Sequence, residues 1–180
     1  MTMAPAGRQG RRMRQLALHY DEAMTFARAI AAGGLAVGAL DAADAIIFYG
    51  VRGVAPIRIF QSIAGGLLGP SAFQRGLTSA ALGVVLHFTI AGTIVTVLSV
   101  IARRWPAVTR HTFVAAAVYG VSVWIVMNYA VIPLSAASRG RLTGAVLVNG
   151  LLIHIFGVGL PAVLAARAAA RADVRTGKID

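Results

Sequence analysis

The sequence predicts an all-α integral membrane protein, a bundle of four transmembrane helices plus one short interfacial or re-entrant helix. Three observations lead there. Hydrophobic residues make up 58% of the 180 positions and charged residues 13%, against roughly 45–50% and about 25% in ordinary soluble domains. Four apolar stretches reach the roughly 20 residues that a helix needs to cross a hydrocarbon core of about 30 Å. The 17 Lys and Arg residues lie between those stretches and not along one amphipathic face.

In chain order, residues 1–27 read as a basic tail and lead-in, beginning "MTMAPAGRQGRRMRQ". The transmembrane domain is expected over 28–167, and 168–180 form a second tail. The first span covers about 29–50, "AIAAGGLAVGALDAADAIIFYG". It is longer than the core of a cleaved signal peptide and carries Asp41 and Asp44, so it reads as an uncleaved signal anchor. Next comes "PIRIFQSIAGGLLGP", with a proline at each end. Over about 56–69 it is too short to cross, and it is expected to lie against the bundle as an interfacial or re-entrant helix. Its apolar residues Ile57, Phe60, Ile63, Ala64, Leu67 and Leu68 recur at three- and four-residue steps. Arg58, Gln61, Ser62 and Gly65 fall on the opposite side. The remaining spans cover about 79–102, 112–134 and 144–166.

The net charge of +11 raises the question of nucleic acid, but no nucleic-acid motif is present and the cations flank the spans. With the N-terminus in the cytoplasm, twelve Lys and Arg residues fall on the cytoplasmic side. Only Arg52, Arg58, Arg75, Arg139 and Arg141 fall outside. Retention of positive charge during insertion therefore predicts that both termini are cytoplasmic. The partners expected of these cations are the bilayer and its anionic headgroups, not nucleic acid. Cysteine is absent, which excludes a disulfide framework, a thiolate metal site and a cysteine nucleophile.

This topology converts position into depth at about 1.5 Å per residue. Asp41 and Asp44 lie about nine and six residues before the outer end of the first span, and His87 about eight residues into the second. His154 lies about ten residues into the fourth, while Asn128 and Asn149 are about five or six residues from the same face. Six polar side chains from four helices thus share one slab of the outer half. Ionisable groups at that depth are costly, about 2.5–3.5 kcal/mol for a charged aspartate on insertion scales, so they belong inside the bundle. Small residues flank them at helical spacing: Gly34, Gly38 and Ala45; Gly83 and Ala91; Gly150, Gly157 and Pro161.

Three roles are open to this cluster. It can be a pathway for protons, ions or a small solute, relayed by Asp41, Asp44, His87 and His154, in which case a homodimer is expected of so small a transporter. It can be a haem or metal site ligated by His87 and His154 with Asp41 as carboxylate ligand or supporting partner. Or it can serve helix packing in a structural or accessory subunit, at about 0.6 kcal/mol per interhelical hydrogen bond. No catalytic signature is present: Ser135 and Ser138 have no recognisable histidine partner, and "GGLLG" follows no strand.

Three stretches, "FQSIAGGLLGPSAF" at Phe60–Phe73, "AALGVVLHF" at Ala80–Phe88 and "YGVSVWIVMNYAVIPLSA" at Tyr119–Ala136, resemble an uncharacterised bacterial family of small four-span inner-membrane proteins. The resemblance spans about 29–166 and implies the same fold and an inner (plasma) membrane location, with no activity to carry over. Its motifs contain Gln61, His87 and Asn128.

Overall fold

The structure, a computed structural model, describes residues 6–138 and 140–175. Helix α1 runs over Ala6–Gly50, α2 over Pro56–Leu68 and α3 over Gly76–Arg104. Helix α4 is Thr112–Leu134. Helix α5 is continuous through Gly144–Ile153, His154–Gly159 and Leu160–Arg175. Short 3₁₀ turns, Gly69–Gln74 and Pro106–Thr109, join α2 to α3 and α3 to α4. Among the described residues there is no strand. α1, α3, α4 and α5 are each long and apolar enough to cross a membrane. The chain is thus an all-α, multi-pass membrane bundle.

Local chemistry sets the breaks. After α1 the chain turns at Gly53, with φ 83°, where Val54 N–H donates to the Tyr49 carbonyl at 3.1 Å. Pro56 then occupies the first turn of α2, where its missing N–H costs nothing. Gly69, with φ 61°, ends that helix in a conformation costly for any residue with a Cβ.

α1 departs from the expected boundary. The helix starts at Ala6, not near residue 29, and its 45 residues extend about 68 Å. Arginine, methionine, leucine and alanine are good helix formers, so the basic lead-in carries the helix on beyond the apolar run. Its described side chains are mostly exposed. Residues 1–5 and 176–180 of the two expected tails, and Arg139, lie outside the described residues.

α5 is the central element and packs against α1, α3 and α4, while α1 also packs against α3. Small residues permit these approaches: a Cβ on Gly34 would sit 3.0 Å from the Cα of Gly92, and one on Gly120 would strike the carbonyl of His154. Val37, Val95, Leu98 and Val163 form a core with at most 1% exposure each, filled out by Ala91, Ala102, Ala162 and Ala166. Leu35, Ile47, Val85, Val118, Leu152 and Leu164 point outward instead. So much exposed apolar surface on every span is what a lipid-facing bundle presents.

α2 packs along the first part of α3, with the Phe60 backbone seated where Gly83 has no side chain. At its other end, the chain after α4 closes on it through Ala136 N–H donating to the Gly66 carbonyl at 3.0 Å. α2 therefore straps one end of the bundle. The face it buries is not the one that apolar spacing predicts. Gln61, Gly65, Ala64 and Ile59 are buried, whereas Leu67 is 66% exposed. The cause is the solvent: against lipid, leucine gains nothing by turning inward, and the polar amide turns toward the bundle for a partner.

Candidate functional site

A cavity of about 280 Å³ opens among the four spans at the α2 end of the bundle. Asp41, Asp44, His87, Asn128, Asn149 and His154 all line it. Six polar residues that are up to 113 positions apart in the chain are thus brought together, as 154 minus 41 gives. Gln61 is not among them. It lies against the start of α3, where its Nε2 donates to the Gly76 carbonyl at 3.0 Å and its Oε1 is buried without a partner. Ile63 is the residue by which α2 reaches the cavity.

Each polar group is positioned by its own helix or by its neighbour. Asn149 on α5 donates from Nδ2 to the Asp44 carboxylate on α1 at 2.7 Å. His87 on α3 reaches the Gly38 carbonyl on α1 through Nε2 at 2.8 Å, its ring edge-on to Phe88 and Phe60. A carbonyl can only accept, so Nε2 carries a proton. The same reasoning protonates Nδ1 of His154, which lies 2.9 Å from the Gly150 carbonyl. Asn128 Nδ2 donates to the Trp124 carbonyl at 2.9 Å. Asp41 has His154, His87 and Asp44 as its charge neighbours.

Two of the lining helices leave α geometry at this level. Met127–Val131 in α4 and His154–Gly159 in α5 are π turns, wider by one residue per hydrogen-bonded ring. Pro133 and Pro161 follow closely, and each lacks the N–H that would bond the carbonyl four residues back, at Tyr129 and Gly157. Asn128 and His154 sit on these turns, so the breaks that the prolines impose coincide with the polar cluster.

Sequence reasoning missed two contributors. Trp124 forms part of the wall, its indole edge against Gly150, where a Cβ would lie 2.8 Å from Nε1. Tyr119 donates from its hydroxyl to the Ile94 carbonyl at 2.6 Å, tying α4 to α3 beside the cavity. The sequence does not single out either one, because an aromatic in an apolar span gives no signal of which way it faces. Below the cavity Val37, Ala91 and Val158 belong at once to its lining and to the buried core, so its floor is apolar.

Among the described residues no three His, Asp or Glu side chains are grouped so as to hold a metal ion. His87 turns its Nε2 to Gly38 and His154 its Nδ1 to Gly150, so a backbone carbonyl orients each ring, as it commonly does for the second nitrogen of a ligating imidazole. Comparison of the chain with family models, with curated proteins and with solved structures finds no match.

Proposed function

We propose that this protein takes up a small solute from the outer side of a bacterial inner membrane, holds it in the cavity and passes it on when the apolar floor opens. The observation that carries the reading is the convergence of six polar side chains from all four spans on one partly open cavity. A bundle needing only cohesion has no reason to leave a carboxylate such as Asp41 facing a void. The orientation follows the excess of positive charge on the side away from the cavity, which also engages anionic headgroups. A homodimer and membership of the bacterial four-span family belong to the same proposal.

A second reading, helix packing, is favoured by the two interhelical bonds, Asp44 with Asn149 and His87 with Gly38. The readings separate by solvent access, and the absence of native cysteine makes that measurable. Single cysteines at Ile90, Val146 and Ile153 line the cavity, whereas Leu98→Cys and Val163→Cys test the core. In intact cells a membrane-impermeant thiol reagent should label the first three and spare the last two. Protection of all five, or labelling only from the cytoplasmic side, would overturn the proposed reading.

A further inference from the structure

The proposed solute site has a chemical polarity that can be read from what its side chains have already spent. His87 and His154 each commit an N–H to a backbone carbonyl, so in the neutral ring Nδ1 of His87 and Nε2 of His154 are lone-pair acceptors. Asn128 and Asn149 each commit an N–H as well, the first to the Trp124 carbonyl and the second to Asp44, so both retain a free carbonyl oxygen. Asp44 keeps one oxygen beyond the bond from Asn149. Among the described residues, no hydrogen bond reaches the carboxylate of Asp41.

The remaining donors are a second N–H on each asparagine, the Trp124 indole N–H and the Tyr49 hydroxyl, and the acceptors outnumber them, with two carboxylates and no Lys or Arg among the lining residues. The complement of this wall is a cation rich in N–H donors. The rest of the surface is apolar, from Val37, Ile63, Ile90, Met127 and Ile153 among others, and would surround a hydrocarbon body. The volume lies near the lower end of the roughly 300–1,000 Å³ found for drug-sized ligands, which calls for a compact one. Resting on the solute-site reading above, we infer that the occupant is a small protonated alkylamine, with Asp41 as its counter-ion and His87 Nδ1 and His154 Nε2 accepting from its ammonium group. A bare alkali cation matches the cavity less well, since hard cations take oxygen ligands and the two imidazoles would be idle.

The test uses the full-length protein in detergent with Trp105→Phe, which leaves Trp124 in the cavity wall as the only tryptophan. Butylammonium, n-butanol, butyrate and potassium chloride are titrated in turn at constant ionic strength. The expected result is a saturable change in Trp124 fluorescence with butylammonium and binding weaker by about tenfold or more for the alcohol, as loss of a buried charge partner predicts. Asp41→Asn should weaken butylammonium by a similar factor, and Asp41→Glu should recover most of it. Equal binding of butylammonium and butanol, preference for butyrate, or saturation by potassium would overturn the amine assignment while leaving a solute site in place. No saturable response to any probe would sink the solute site as well. The comparison among probes needs no substitution at Asp41 and holds even where that variant fails to fold.

Discussion

The Asp44–Asn149 bond joins the first and last spans across 105 positions of sequence, and its strength can be predicted and measured. A hydrogen bond to a charged group contributes about 1.5–3 kcal/mol when sealed from water. Here both partners are only partly buried and face a cavity, so water can replace either one. Hydrogen bonds between transmembrane helices accordingly average about 0.6 kcal/mol, with a maximum near 1.7 kcal/mol. At 2.7 Å and with a carboxylate as acceptor, this bond belongs in the upper part of that range, about 1–1.5 kcal/mol. The assay is a double-mutant cycle of Asp44→Ala, Asn149→Ala and the pair, unfolded reversibly with SDS in mixed micelles. The coupling term isolates the contact because neither alanine makes a new one. A coupling below about 0.3 kcal/mol, within the usual error of additivity for independent sites, would refute a direct bond between α1 and α5 at this level.

Three further outcomes are expected. Gly120→Ala should destabilise by about 1–3 kcal/mol in the same assay, because its methyl would strike the His154 backbone and force α4 from α5; an unchanged midpoint would contradict that packing. Within α2, Ala64→Leu should cost about 1–3 kcal/mol while Leu67→Ala stays within about 0.5 kcal/mol, given that Ala64 is buried and Leu67 faces outward. The reverse order would restore the face predicted from apolar spacing. His87→Ala should lower the unfolding free energy in the same assay through loss of the bond to Gly38, by about 0.6–1.7 kcal/mol for that bond; a neutral result would place the ring elsewhere.

The spans were legible in the sequence because lipid imposes one requirement, a long apolar helix, that hydropathy reads directly. The grouping of Asp41, Asp44, His87, Asn128, Asn149 and His154 in one cavity was legible for a related reason. Depth follows from position along a straight helix, and polar side chains in lipid have only the bundle to turn to. Two things escaped. The facing of α2 did not follow from its apolar stripe, since that stripe distinguishes core from water and not core from lipid, and Gln61 went to the helix interface. The start of α1 was hidden because hydropathy falls at Arg28 and Arg14 while helix propensity does not. The π turns left a partial trace in Pro133 and Pro161, although proline alone foretells a break and not its form.

The apolar floor has an electrical consequence. From Ala91 to Ala102 the buried core extends about 16 Å along α3, roughly half of a hydrocarbon layer. A vestibule that water fills is a conductor and carries little of the transmembrane voltage, so the drop concentrates across this insulating plug. A unit charge leaving the level of Asp41 for the far side would therefore traverse most of the potential in half the thickness, gaining or losing up to about 2.3 kcal/mol per 100 mV. Membrane voltage would act on the exit step and leave entry nearly untouched.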